Sequence, residues 1–183
     1  MLTQLTTINY FQIIPKEAIQ LVIIGKDPFP TDPTGIPFCK PTWEQQLDLK
    51  CSGRYVLLAL GLNITSIQNI YPVPKLLFEF LCAKGIVFLN ASYVYIGGNI
   101  TQIRHLQQLK DAYDINKSII ESAKTVIYCG EASKIRWIAS IGCQGSYCVV
   151  HPDVRNKNRK ITSGRWCLWW EDNALINKLI IKL

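Results

Sequence analysis

Two side chains, Asp27 and His151, have residue types and surroundings suited to electrostatic or acid–base chemistry. Asp27 lies within GKDPFPTDPTGIPF, residues 25–38, where four prolines predict a stiff loop that could fix a reactive group. Phe29 and Phe38 flank this carboxylate, which is either a catalytic anion or an ordinary turn-capping residue. His151 can exchange a proton near neutral pH, although a lone histidine is more often structural than catalytic.

The loop after His151 is strongly basic. Residues 153–165, DVRNKNRKITSGR, carry five cations and one acidic residue, a pattern typical of a surface that contacts nucleic-acid phosphates. The whole chain agrees, since 20 Lys and Arg against 13 Asp and Glu give a net charge of +7, although many soluble domains are mildly basic without a functional reason. The five cations are Arg155, Lys157, Arg159, Lys160 and Arg165.

Two further residues, Asn90 and Gly130, follow apolar runs and could contact a nucleotide. Asn90, in VFLNASY, offers an amide donor and acceptor that can read the edge of a pyrimidine, but it can equally be a turn residue. Gly130 precedes Glu131 and a helical segment whose N-terminus could approach a phosphate.

Four short apolar runs, residues 21–24, 86–89, 125–129 and 147–150, predict the strands that position these residues. Helices are predicted near residues 43–60, 74–84, 102–122, 132–140 and 171–182. This alternation predicts an α/β fold with a parallel sheet and helices on both faces. Ligands of such sheets bind beyond the carboxyl ends of the strands, where all the residues above fall. The sequence contains no repeats or linkers, which predicts a single domain over residues 1–183.

Composition argues against several classes of protein. Seven cysteines without a C-x-x-C pair, and only two histidines, predict neither a zinc site nor an iron–sulfur cluster. The odd cysteine count and the lack of a signal peptide predict a reducing cytoplasmic setting, with a nucleoid-associated or viral context also open. No apolar stretch reaches the roughly 18 residues of a membrane span.

Three segments resemble, in order, the motifs of the uracil-DNA glycosylase superfamily, most closely its compact poxvirus form. The family's Gly-x-Asp-Pro-Tyr motif, with a loop that ends in Phe, is similar to GKDPFP…GIPF; its strand-end Asn motif is similar to VFLNAS, and its His-Pro loop to HPDVR. Each motif alone is weakly specific, whereas the ordered set is strong. The resemblance implies a three-layer α/β/α sandwich with a central four-stranded parallel sheet, and no metal or other cofactor.

The resemblance also implies a reaction, in which a pyrimidine is flipped out of DNA and its N-glycosidic bond is hydrolysed. Asp27 would position the attacking water and stabilise positive charge on the deoxyribose. His151 would donate, as a neutral imidazole, to the pyrimidine O2 on which negative charge accumulates. Phe38 would stack on the flipped base, and Asn90 would read its O4 and N3 edge.

The remaining roles concern the surroundings of the base and the DNA. The backbone around Lys26 would contact O2, and Arg155 would fill the gap left in the duplex. Three features depart from the family: Phe29 replaces its Tyr, Glu131 replaces the Ser of its Gly-Ser phosphate clamp, and barely twenty residues precede the first strand, which suggests reduced N-terminal helices.

Three interpretations follow. In the first, the protein excises uracil. In the second, the same chemistry acts on a C5-modified cytosine, such as glucosylated hydroxymethylcytosine in phage DNA, as an antiviral defence, with the wall at Phe29 opened. In the third, the protein is a non-catalytic DNA-binding or replication-accessory module, against which the presence of both Asp27 and His151 argues.

Overall fold

Four strands form the all-parallel sheet that the sequence predicts. The protein is described here by a computed structural model, covering residues 19–135, 145–149 and 151–152. The strands are β1 (Leu21–Gly25), β2 (Ile86–Asn90), β3 (Thr125–Cys129) and β4 (Gly145–Val149), and they lie in the order β2-β1-β3-β4. The register pairs Gly25 with Asn90 and Cys129 with Val149. The α/β fold class is therefore confirmed.

Both faces of the sheet are covered. Every residue of β1, β2 and β3 is buried, and successive strand residues point to opposite faces, so each face must pack against other elements. The apolar runs that predicted the strands are continuous and do not alternate with polar residues, as expected for parallel strands enclosed on two sides.

Helices occupy the connections between the parallel strands. Between β1 and β2 lie α1 (Trp43–Gln46), α2 (Ser52–Ala59), α3 (Ile64–Ile70) and α4 (Pro74–Ala83). A 3-10 turn (Ile103–His105) leads into α5 (Leu106–Ser122), which connects β2 to β3, and a second 3-10 segment (Gly130–Ile135) follows β3. Among the described residues, no helix is long and apolar enough to span a bilayer.

Some element boundaries differ from those predicted. The helix predicted over 43–60 is two helices, because the Asp48 carboxylate and carbonyl accept from the backbone amides of Lys50 and Cys51 and turn the chain. Helix α3 was not predicted; its β-branched residues hide it, although Asn63 caps it by accepting from the Ser66 amide. Residues 136–140 and the predicted helix 171–182 lie outside the described residues.

The strand order places a topological switch point between β1 and β3. The chain leaves β1 towards β2 on one side and leaves β3 towards β4 on the other. The loops after β1 and β3 therefore diverge and open a crevice at the carboxyl edge of the sheet, which is where open α/β sheets bind ligands.

Candidate active site

A cavity of about 360 Å³ opens at this switch point. It brings together all six residues that the sequence assigns to catalysis and base binding, although they come from three distant segments of the chain. They are Lys26, Asp27, Phe29, Phe38, Asn90 and His151. The predicted convergence at the carboxyl ends of the strands is therefore observed.

Asp27 is held by the loop that follows β2. Its Oδ2 accepts a hydrogen bond from the backbone amide of Ile96 at 2.7 Å, and the side chain is only 12% exposed. Burial raises the pKa of the Asp27 carboxyl above its ordinary value, while the Ile96 amide and the nearby Lys26 charge act in the opposite direction. The site therefore contains a partly desolvated carboxylate with one fixed donor.

Lys26 binds the same loop. Its ammonium donates to the carbonyls of Ile96 and Gly98, each at 2.8 Å, and lies 3.8 Å from Oδ2 of Asp27. The amides of Ala91 and Ser92 donate to the carbonyls of Gly25 and Lys26, which ties the loop after β1 to the loop after β2. The Lys26 side chain thus stabilises the loop, and the residue also lines the cavity.

Phe38 provides an aromatic surface in an uncommon backbone conformation. Its φ is +67°, in the left-handed region that bulky residues rarely adopt. Gln46, fully buried, donates from Nε2 to the Phe38 carbonyl at 3.1 Å and accepts at Oε1 from the Lys40 amide at 2.7 Å. A Cβ on Gly53 would lie 1.8 Å from the same carbonyl, so only glycine lets α2 pack there. These contacts hold Phe38 in place.

Phe29 forms another aromatic part of the wall. The ammonium of Lys40 lies 4.1 Å from the centre of its ring, within the range of a cation–π interaction. Lys40 also donates to the carbonyl of Thr31 at 2.9 Å, so the cation is fixed to the loop that carries the ring. Phe29 is therefore restrained, although it lacks the hydroxyl of the Tyr in the resembled motif.

Asn90 ends β2 as a paired strand residue, where the sequence suggested a residue just beyond the strand. It is 5% exposed and lines the cavity. Asn116 of α5 donates to the Asn90 carbonyl at 3.2 Å and accepts from the Tyr93 hydroxyl at 2.7 Å. A Cβ on Gly25 would lie 2.9 Å from both Asn90 Oδ1 and Phe38 Cζ, so the missing side chain lets both approach β1.

His151 packs against Gly130. With φ at +54°, Gly130 adopts a conformation that favours glycine, and a Cβ there would lie 2.7 Å from the Cβ of His151. The observed effect of Gly130 is thus to let the chain after β4 approach the end of β3. Its predicted contact with DNA stays a prediction.

Glu131, at the position where the Gly-Ser motif of the resembled family has Ser, is engaged within the protein. Its Oε1 pairs with the Lys134 ammonium at 2.7 Å, and its Oε2 accepts from the Ile100 amide at 3.3 Å. Because both oxygens already have partners, Glu131 is a structural anchor in this structure.

Outside the loop of residues 25–38, sequence reasoning missed three cavity residues, Lys50, Ser52 and Tyr93. Tyr93 follows the Asn motif closely and could have been suspected, whereas Lys50 and Ser52 reach the cavity only because the chain turns between α1 and α2. The predicted DNA-contacting residues of the basic loop lie outside the described residues: Arg155, Lys157, Arg159, Lys160 and Arg165.

The two described cysteines near the site, Cys39 and Cys51, are buried, which disfavours their thiolate forms. Burial raises the pKa of Cys39, which follows Phe38, to about 12, and it also raises the pKa of Cys51 above its ordinary value. Within the part of the chain that the structure describes, no three His, Cys, Asp or Glu side chains converge as ligands of a metal would.

The fold, a four-stranded parallel sheet enclosed by helices, is shared with solved structures. No protein-family model and no curated protein matches the chain. Among solved structures, it is similar to the wild-type UNG, a uracil-DNA glycosylase, from Nitratifractor salsuginis, with a TM-score of 0.51 and 14% identity over 78% of this chain and 68% of that chain. A point mutant of that UNG gives a TM-score of 0.48 and 16% identity, over 78% and 69%. The likeness to the wild-type structure shows a shared fold.

Proposed function

We propose that this protein is a DNA glycosylase that flips a pyrimidine out of DNA and hydrolyses its N-glycosidic bond, with uracil as the first-choice base. The observation that carries the proposal is the convergence, in one cavity, of a held carboxylate, two aromatic walls, a buried amide and a histidine. Each has a use in breaking a bond between a sugar and a departing anionic base, and the fold is shared with a UNG structure.

Two charges develop as the bond breaks, and a different residue stabilises each of them. The electron pair of the C1′–N1 bond passes to the base, where a neutral His151 stabilises the charge at O2 by donating a hydrogen bond. The sugar becomes cationic, and the ionised Asp27 stabilises it and positions the water that adds to C1′. The proton that this water loses ends on the released base. The partial burial of Asp27 strengthens this electrostatic effect, because little solvent screens it.

The choice of base depends on the wall at Phe29. The Lys40 ammonium fixes this ring, and a fixed ring beside C5 of the pyrimidine would exclude a methyl group or anything larger. This supports uracil. Asn90 has both amide atoms available for the O4 and N3 edge, since no described residue hydrogen-bonds its side chain.

A C5-modified cytosine, excised as an antiviral defence, is the second candidate. The observation that favours it is the presence of Lys50 and Ser52 in the same cavity, because uracil excision by the residues above uses neither. These polar groups could bind the hydroxyls of a sugar attached at C5. A purely non-catalytic module is less well supported, since an inert surface has no need of a desolvated carboxylate such as Asp27.

The experiment is incubation of the protein with duplexes that carry uracil, thymine, hydroxymethylcytosine or its glucosylated form, scored for abasic sites. Abasic sites only in the uracil duplex support the first base, and abasic sites only in the glucosylated duplex establish the second. The Asp27→Asn variant is the control for contaminating activity. Absence of abasic sites from all four duplexes would contradict the proposed function.

A further inference from the structure

A short segment, residues 96–100, crosses the carboxyl edge of the sheet, and we call it the strap. Its ends, Ile96 and Ile100, are buried, whereas Gly97, Gly98 and Asn99 between them are exposed. A Cβ placed on Gly97 or Gly98 would meet no atom within 4 Å. Packing in the core anchors Ile96 and Ile100, whereas the exposed middle of the strap is not held by packing and depends on polar contacts for its position.

One end of the strap is bound to the loop after β1. The amide of Ile96 donates to Asp27, and the carbonyls of Ile96 and Gly98 accept from Lys26. Among the described residues, the peptide donor to the Asp27 carboxylate therefore belongs to the strap, and a movement of the strap that shifts Ile96 changes the distance between that donor and the carboxylate.

The other end is bound to the segment after β3. Glu131 accepts from the Ile100 amide with one oxygen and pairs with Lys134 through the other. Lys134 also donates to Oδ1 of Asn99 at 3.2 Å, an oxygen that further accepts from the amide and hydroxyl of Thr101. A serine at position 131 could not make both contacts, because its single hydroxyl is too short to bridge the strap and the lysine.

We propose that Glu131 and Lys134 are positioning residues that fix the strap and, through the Ile96 amide, hold the Asp27 carboxylate in its working geometry. The role of Asp27 in the reaction rests on the proposed function; the mechanical connection from Glu131 to Asp27 does not. Glu131 would thus replace a phosphate contact with an internal anchor on the same crevice.

The connection predicts how Asp27 titrates. The Ile96 amide stabilises the ionised carboxylate, so loosening the strap removes an influence that lowers the pKa of Asp27, and that pKa rises. Substitution of Glu131 leaves in place the other titratable or charged groups around the cavity. They are Lys26, Lys50, Tyr93 and His151, with His105 near Lys26 and Arg104 beside His105.

The test is a carbon-13 NMR titration of the Asp27 carboxyl in the full chain, alongside kcat for abasic-site formation across pH. Glu131→Ala is expected to raise the pKa of Asp27, move the acidic limb of kcat to higher pH and lower kcat on the order of 10-fold, with KM unchanged. Glu131→Gln keeps an oxygen for the Ile100 amide and is expected to restore most of the wild-type behaviour. Glu121→Gln, at a similarly exposed Glu paired with Lys117, is the control and should change nothing.

An Asp27 titration identical in folded Glu131→Ala and wild-type protein overturns the inference. If Glu131→Ala does not fold, Lys134→Met removes the contacts to Glu131 and Asn99 alone; it should raise the same pKa, and no change overturns the inference. If the protein releases no base but its Asp27 titration still depends on Glu131, the proposed function is contradicted and the inference about the strap stands.

Discussion

The carboxylate of Asp27 accepts a hydrogen bond from the amide of Ile96, 69 residues further along the chain, at 2.7 Å. The contact joins the loop after β1 to the strap, so the residue proposed for catalysis is held by a segment outside its own motif. Its burial and its hydrogen bond act on the pKa in opposite directions. Because burial penalises the ionised form that the proposed reaction requires, a substitution that removes this charge is expected to lower activity and to raise stability.

Asp27→Asn is expected to lower kcat by about 10²-fold or more, as for removal of one preorganised electrostatic group. It should also raise stability at neutral pH. Burial raises the folded-state pKa of Asp27, so the folded protein binds this proton more tightly than the unfolded chain does. The stability that protonation gives the wild-type protein is lost as pH rises through the folded-state pKa. Urea unfolding at neutral and acidic pH measures this; a stability gain that does not shrink on acidification would contradict it.

Gly130→Ala should displace His151, because the new Cβ would meet the His151 Cβ at 2.7 Å and the backbone has a φ of +54°. We expect kcat to fall towards that of His151→Ala, itself about 10²-fold below wild type. Gly97→Ala is the matched control, since a Cβ there meets no atom within 4 Å. Equal kcat values for Gly130→Ala and Gly97→Ala would show that His151 does not depend on this approach.

Gln46→Leu removes the donor to the Phe38 carbonyl and the acceptor of the Lys40 amide. Leaving these groups unsatisfied costs about 1–3 kcal/mol each, so the free energy of unfolding should fall. KM should rise because the Phe38 ring is no longer fixed for stacking. Thermal unfolding and steady-state kinetics measure both effects, with the exposed neighbour Gln45→Leu as control. A destabilised variant with an unaltered KM would show that Gln46 does not contribute to base binding.

Phe29→Ala should admit thymine if uracil is the natural base, because the ring beside C5 is gone. One methyl group in such a cavity discriminates by roughly 10–200-fold, which bounds the expected change in the ratio of kcat/KM values. Lys40→Met, which removes the cation 4.1 Å from the ring and leaves the ring itself, should give a smaller change in the same direction. Continued rejection of thymine by Phe29→Ala would place the C5 wall elsewhere.

Neutralising Lys157, Arg159 and Lys160 to Gln should weaken binding to DNA of any sequence. Each lost phosphate contact should reduce the slope of log K against log salt by about 0.9. Fluorescence anisotropy over a salt series measures the slope. As a control, the same charge change is made on three exposed lysines of α5 and the turn after it, Lys110, Lys117 and Lys124, and it should leave the slope unchanged. A smaller slope in the control variant and an unchanged slope in the loop variant would show that the DNA-binding face lies elsewhere.

The parallel sheet was predictable because its strands are uninterrupted apolar runs, and the position of the site followed from the strand ends. Helix α3 was not, since its seven residues carry no strong helical pattern and Asn63 is its main signal. Lys50 and Ser52 could not be assigned to the cavity, because their approach depends on how α2 packs over the Phe38 carbonyl through Gly53. The role of Glu131 likewise depends on a loop thirty-one residues away, which no local pattern reveals.

The position of β4 has a consequence for how this molecule would lose activity. Its described side chains are mostly half-buried, whereas those of β1, β2 and β3 are fully enclosed. Among the strands that the structure describes, β4 pairs with β3 alone. Elements with little burial exchange their amide hydrogens through local openings that cost less free energy than global unfolding. Because His151 follows this strand, heating should detach the histidine from the cavity while β1 still protects its amides and holds Asp27 in place.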